Sequence, residues 1–304
     1  MIRLILNGKK AEQEEIRTAV YTLRSQSADI QVRVTWEQGD GERLVREASR
    51  DGVKRIVSGG GDGTLNEVIN GLAGIDKDKR PELAILPLGT ANDFATSCTI
   101  PQTPFEALTL ALSGTSNAVD IVQANKRFFV NVASGGFGSQ VTAETPPQLK
   151  NFLGGGAYAL TAVIKSLNFT PNHGRLRAEG IDMEGEAVVA AVCNGRQAGG
   201  GQILAPDACI NDGLLDIVVI LLFPITDVAQ VIQEMREPQV LGKYVKRFRS
   251  SWVETWTDAN NSINLDGEPI REKHICFKVL PKEIKLVLPK NCPLYKNRKK
   301  DHNR

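Results

Sequence analysis

Residues 55–67 read Arg55-Ile56-Val57-Ser58-Gly59-Gly60-Gly61-Asp62-Gly63-Thr64-Leu65-Asn66-Glu67, and this stretch decides the fold. A short strand runs straight into glycines, and a helix opens at Thr64 and continues to Leu72. Glycine lets a backbone approach a polyanion closely and turn through positive φ. The start of the helix offers free N–H groups and a partial positive charge to phosphate. Asp62 places a carboxylate where a metal carried on those phosphates could be held. The spacing is not G-x-G-x-x-G, which fails at Thr64, and no G-K-[ST] follows. A plain strand-to-helix turn capped by Thr64 is the structural alternative, but a mere turn does not need so many glycines beside a carboxylate.

Strands and helices alternate on both sides of this loop. Residues 4–6 form a short strand ending in Asn7-Gly8-Lys9. Ile16, Val20 and Leu23 recur at helical spacing, and Ile30, Val32 and Val34 alternate as in a strand. Leu44, Val45 and Ala48 mark a second helix. Residues 83–86 form a further strand, followed by Leu88-Gly89-Thr90-Ala91-Asn92-Asp93-Phe94, where Thr90 is expected to cap a helix with Asn92 and Asp93 in its first turn. This alternation implies a Rossmann-like parallel α/β domain with helices on both faces. Ligands then sit beyond the carboxyl ends of the strands, where both loops lie.

The rest of the chain reads differently. Residues 128–132, 174–178, 187–193, 215–222, 263–265, 274–280 and 284–288 look like strands joined by turns such as Asp212-Gly213 and Asp266-Gly267. They imply an antiparallel, β-rich, sandwich-like second domain. Helices are expected near residues 157–167 and 225–235. The expected division is an α/β nucleotide-binding domain over residues 1–130, a β-rich lipid or substrate domain over 131–290, and a basic tail over 291–304 that packs back on the first domain.

A chain of 304 residues is long enough for two such domains. Its net charge of +2 gives no electrostatic footprint for nucleic acid. Five widely spread cysteines with no CxxC argue for reduced thiols rather than a disulfide framework or a zinc site. The apolar run at residues 2–6 is too short for a signal peptide, and the run at 217–223 stops at Pro224, too short to span a bilayer. A cytoplasmic protein that meets a membrane only transiently, at its surface, is expected. The three histidines show no ligand spacing, and Trp36, Trp252 and Trp256 are scattered, the last two expected in or beside the β domain.

Two further turns carry carboxylates. Asn264-Leu265-Asp266-Gly267-Glu268-Pro269 reads locally as a hairpin, and it would present Glu268 on a rigid support where it can accept a proton from a hydroxyl. Ile210-Asn211-Asp212-Gly213-Leu214-Leu215-Asp216 is also a turn, of a kind that can offer carbonyls and one Asp to a hard cation. On local grounds the plain turn is the stronger reading of both.

Taken in order, GGGDGTLNE, LGTANDF, GRQAGGG (residues 195–201), INDGLLD and NLDGEP resemble the diacylglycerol kinase catalytic family, closest to its YegS-type bacterial lipid kinases. The resemblance spans nearly the whole chain. GGDGT alone is shared with NAD kinases, whereas LGTANDF and NLDGEP are more specific. The resemblance implies that Gly61, Asp62, Gly63, Thr64, Leu65, Asn66 and Glu67 bind the phosphates of ATP, with Thr35 and Thr90 lining the site. Asp62 and Asp93 would hold the catalytic Mg2+, partly through water, with Asp120 in support. Glu268 would be the general base. A second, structural cation, Mg2+ or Ca2+, would be held by Asp212 and the main-chain carbonyls of Cys209 and Leu214.

The parts match what phosphoryl transfer needs: positioned phosphates, a neutralising metal and an aligned nucleophile. The expected activity is an ATP-dependent lipid kinase, with phosphatidylglycerol the first acceptor to try. A soluble-substrate kinase related to NAD kinase and a non-catalytic nucleotide or phospholipid sensor stand as alternatives. Lys243, Lys246, Arg247 and Arg249, interleaved with Tyr244, Val245 and Phe248, and the basic tail (Lys296, Arg298, Lys299, Lys300, Arg304) are candidates for peripheral contact with an anionic membrane surface. The oligomeric state leaves no trace in the sequence.

Overall fold

The computed structural model describes residues 1–136, 172–237, 242–257 and 262–296. The first part is β1 (Ile2–Asn7), α1 (Glu14–Ser25), β2 (Ile30–Thr35), α2 (Asp40–Arg50), β3 (Arg55–Gly60), α3 (Asp62–Ala73), β4 (Glu82–Pro87), α4 (Asp93–Ser97) and α5 (Pro104–Ser113). The four strands are parallel in the order β2-β1-β3-β4, with Leu4 opposite both Val32 and Val57, and Val57 opposite Ala84. Ile16, Ala19, Val20 and Leu23 line the buried face of α1, and Leu44, Val45 and Ala48 that of α2. These are the i, i+3, i+4, i+7 positions of a helix that covers a sheet.

The second part is β5 (Ser116–Ala124), β6 (Arg127–Phe129), β7 (Val132–Gly136), β8 (Asn172–Ala178), β9 (Ile181–Cys193), β10 (Gln197–Ala198), β11 (Gln202–Ile203), β12 (Leu215–Leu221), α6 (Val228–Arg236), β13 (Val245–Ser250), β14 (Trp252–Thr257), β15 (Ser262–Leu265), β16 (Glu268–Arg271) and β17 (His274–Val287). Among the described residues these strands pair antiparallel with one another. The α/β-plus-β-sandwich class is therefore as expected. Its core joins Val122, Phe129, Val192, Ile217, Val253, Ile275 and Phe277, with Phe129 and Phe277 edge to face at 6.2 Å.

Three local expectations are corrected. Residues 128–132 are not one strand. The amides of Val130, Asn131 and Val132 turn to the carboxylate of Asp266, which separates β6 from β7. Residues 274–280 and 284–288 are not two strands. They are the single β17, which shifts register between Leu280 and Ile284, where Lys282 has φ 53° and gives its amide to Asp120. The third is the number of strands: β5, β10, β11, β13, β14 and β16 form where the residue pattern marks none. The helix expected near 157–167 lies outside the described residues, and α6 answers the one near 225–235.

β17 joins the two parts. Phe277 to Val287 pair with β5, Trp252 to Trp256 of β14 pair with Lys278 to His274, and Leu286 pairs in parallel with Leu83 of β4. The chain then returns to the first domain. Leu294 is fully buried in the cluster that holds Val68, Leu72, Phe94 and Cys98, and its carbonyl accepts the amide of Ile210 at 3.0 Å. Residues 297–304, with most of the tail's basic charge, lie outside the described residues.

Candidate active site

β3 ends in Gly60, Gly61 caps α3, and the helix begins at Asp62, two residues earlier than expected. Thr64 does not cap the helix. Its Oγ1 accepts Asn7 Nδ2 at 2.9 Å, which ties the ends of β1 and β3 together. A cleft of about 740 Å3 opens over this loop, walled by Thr35, Gly61, Gly63, Thr64, Glu67 and Glu268. Thr35 Oγ1 accepts the amide of Gly8 at 3.2 Å. Six of the residues singled out in the sequence thus come together.

Others face elsewhere. Leu65 is buried in the core, and Asn66 Nδ2 donates to the Phe128 carbonyl at 3.1 Å. The Leu65 amide donates to the Gly61 carbonyl at 3.0 Å and that of Asn66 lies within α3, so neither residue has a backbone donor left for phosphate. Glu67 accepts the amides of Gly39 and Gly41 at 3.2 and 2.9 Å, so it closes the start of α2 at the cleft edge. Thr90 is exposed and caps nothing. Asn92 holds the N-cap position of α4 at φ 50°, and its side chain both accepts from and donates to the backbone of Gly89. Gly89 in turn lies against Gly61. A Cβ on Gly89 would stand 2.6 Å from the Gly61 Cα, so the two loops meet backbone to backbone.

Asp93 opens α4 and is nearly buried. Gly200 and Gly201 give it their amides at 3.0 and 2.7 Å. Gly199, Gly200 and Gly201 all have positive φ, which turns successive N–H groups toward one carboxylate. Asp62 sits beside it. Burial and the charge of Asp93 push the Asp62 carboxyl up, and only backbone amides counter them, those of Asn92 and Phe94 among them. Two acceptor carboxylates beside the glycine loop, neither in an ion pair with a cationic side chain among the described residues, fit a divalent cation shared with phosphate oxygens.

Glu268 reaches this loop from the second domain. Asp266 and Gly267, at φ 50° and 101°, form the tight turn between β15 and β16. Asp266 is buried, and three amides converge on it: Val130 at 2.8 Å, Asn131 at 3.0 Å and Val132 at 2.9 Å. Burial, the largest influence, pushes its carboxyl up to about 7 against those three bonds. The anchored turn sets Glu268 over Gly63, where a Cβ would come within 2.7 Å of Glu268 Oε1.

Asp120 does not join Asp62 and Asp93. It is fully buried, and it accepts the amides of Gly213 at 2.8 Å and Lys282 at 2.7 Å, which ties the 212–214 turn to the irregularity in β17. The turn itself does not fit the expected second cation. Asp212 Oδ2 is paired with Arg249 at 2.5 Å, and Oδ1 accepts the Leu214 amide at 3.1 Å. The basic cluster is also engaged. Lys243 pairs with Asp227, Arg247 donates to the carbonyls of Glu234 and Met235, and Arg249 is spent on Asp212 and Asp216. Among the described residues, no helix is long and apolar enough to cross a membrane.

Several cleft residues escaped the sequence reading, Lys9 and Trp36 among them. Lys9 follows Asn7-Gly8 at the end of β1, and Trp36 follows Thr35 at the end of β2. Their signal was positional: each stands just past the carboxyl end of a parallel strand.

Comparison with known proteins agrees with this architecture. The family model for the diacylglycerol kinase catalytic domain matches residues 1–124, and that for the YegS C-terminal NAD kinase beta sandwich-like domain matches residues 131–288. A probable lipid kinase YegS-like of Shewanella frigidimarina is 48% identical over 293 residues, covering 96% of this chain and 95% of that one. The chain belongs to the YegS-like lipid kinase family. A second member, a probable lipid kinase YegS-like of Yersinia enterocolitica, is 43% identical over 96% of this kinase and 98% of its own length. Among solved structures, a putative diacylglycerol kinase from Bacillus anthracis superposes with a TM-score of 0.78 at 27% identity, covering 96% of both chains.

Proposed function

We propose that this kinase transfers the γ-phosphate of ATP to a lipid hydroxyl, with Glu268 as general base and phosphatidylglycerol as the first acceptor to test. The observation that carries the reading is the contact between Glu268 and Gly63. It sets a carboxylate from one domain against the phosphate loop of the other, where an acceptor hydroxyl would meet the γ-phosphate. The amides of Gly61 to Thr64, at the start of α3, would cradle the phosphates, with Lys9 adding charge and Thr35 and Thr90 bordering the nucleotide. Asp62 and Asp93 would hold Mg2+, which supplies neutralisation of charge on the transferring phosphoryl group. Glu268 would take the hydroxyl proton as the new P–O bond forms.

A lipid acceptor is favoured over a soluble one by an apolar cavity of about 100 Å3 inside the β domain, lined by Leu176, Ile217, Val219, Ile263 and Phe277 among others. Ile263 lies on β15, the strand that leads into the Glu268 turn, so this small cavity would take only the end of an acyl chain on the side of the domain that carries the base. Each methylene buried contributes about 0.8 kcal/mol. A cytoplasmic enzyme that visits the membrane surface for its acceptor follows from this reading.

The test is transfer of labelled γ-phosphate from ATP with Mg2+ to a lipid panel in mixed micelles, beside NAD and other soluble acceptors. Glu268→Gln should keep ATP affinity and lose roughly 10²–10⁴-fold in turnover. Label on a soluble acceptor alone, or full activity in Glu268→Gln, refutes the assignment.

A further inference from the structure

Trp36 is 94% exposed, more than any other large apolar side chain among the described residues. A single exposed apolar side chain is ordinary on a surface, but apolar area exposed on the wall of a cleft is available to a ligand. Here it falls on the wall of the cleft that runs to Gly61, Gly63 and Thr64. Val34, two residues earlier and therefore on the same face of β2, is also exposed and lines the same wall. The two make an apolar platform in a cleft otherwise bordered by Lys9, Glu12, Glu37 and Gln38.

The platform is held in place. The Trp36 amide donates to Asp40 Oδ2 at 2.7 Å, and the Glu37 amide to the same oxygen at 3.2 Å. Arg43 grips Asp40 Oδ1 with two bonds at 2.7 and 2.9 Å. On the other side, Thr35 is fixed by the Gly8 amide. The backbone is tied down at residues 35, 36 and 37, which fixes the point from which the indole projects.

We propose that Trp36, backed by Val34, is the stacking platform for the nucleobase of the bound nucleotide. The inference rests on the ATP reading of the cleft and deepens it. The glycine loop takes the phosphates, and the aromatic face beyond Thr35 takes the planar base at the other end of the same cleft. Stacking of a base on an indole is sequence-tolerant, because every base offers a π-face, and its loss weakens binding on the order of tenfold or more.

The experiment is equilibrium binding to the full chain, with Mg2+, of ATP and of inorganic tripolyphosphate, which has the phosphates without the base. Wild type, Trp36→Ala and Trp36→Phe are compared, each checked for an unchanged thermal midpoint. Trp36→Ala should weaken ATP roughly tenfold or more and leave tripolyphosphate within about twofold, while Trp36→Phe keeps most of the ATP affinity. Equal losses for both ligands, or no loss for either, overturn the platform while leaving the nucleotide site standing. Unchanged ATP affinity with lost binding to phosphatidylglycerol vesicles would make Trp36 a membrane contact instead. Failure of the wild type to bind ATP, with tripolyphosphate bound, overturns the platform and the ATP reading together.

Discussion

Replacing Asp266 with Asn separates the two forces that act on this residue. Three backbone amides favour the ionised carboxylate, each charge-assisted bond contributing about 1.5–3 kcal/mol. Burial and the nearby charge of Asp62 oppose it, and the balance leaves the carboxyl near 7 rather than ~3.9. Such a group holds its proton more tightly in the folded chain than in the unfolded one. Its contribution to stability is therefore full in acid, below the unfolded value. It declines as pH rises through 7, and levels off above that. At 1.36 kcal/mol for each unit, the wild type should lose roughly 2–3 kcal/mol from this residue between pH 5 and pH 8. An Asn side chain does not titrate, so the variant lacks this loss. Urea unfolding of both proteins at pH 5, 6, 7 and 8, with chelator present, reads the difference directly. The gap should move in favour of Asp266→Asn by that amount as pH rises. Parallel curves would refute the reasoning, for they would mean that the three amides already outweigh burial and keep the carboxylate charged at pH 5.

Gly63→Ala should leave stability within about 1 kcal/mol, because the new Cβ meets only the flexible end of Glu268. It should still lower turnover roughly 10–10²-fold by displacing the base, with ATP affinity within about threefold, as steady-state kinetics beside binding would show. Asp120→Ala strips the acceptor from the amides of Gly213 and Lys282, and should cost about 2–4 kcal/mol in urea unfolding.

The glycine loop was readable because its signal is local: strand, glycines, carboxylate and helix lie within thirteen consecutive residues. That β1 to β4 run parallel followed from the alternation of strands and helices, whereas their order came only with the fold. The base was not local. Asp266-Gly267-Glu268 reads as an ordinary hairpin, and only resemblance raised Glu268 above that, since the contact with Gly63 is made by folding. Asp266 itself drew no notice, because nothing in its neighbours announces three amides from residues 130–132. The same gap explains Asp120. A buried Asp can serve a metal or a turn, and only the partners distinguish them. β13 and β14 were obscured because Lys246, Arg247, Arg249 and Glu254 interrupt the apolar alternation, although the three cations are met by Asp212, Asp216 and backbone carbonyls, and Glu254 lies 3.9 Å from His274 Nε2. Trp36 was passed over because exposure is not a property of sequence.

β17 also bears on how this chain is made. The parallel sheet of the first domain is laid down early, but the far side of β4 receives its neighbour only when residues 284–287 arrive. Leu294 then seals the core beneath α3 and α4. During synthesis the nucleotide-binding half therefore waits, with one strand edge bare, until residues 284–287 have left the ribosome. A bare edge invites pairing with other chains. A kinase built this way has no finished half to misuse: a chain stopped before β17 lacks the strand that closes its phosphate-binding sheet.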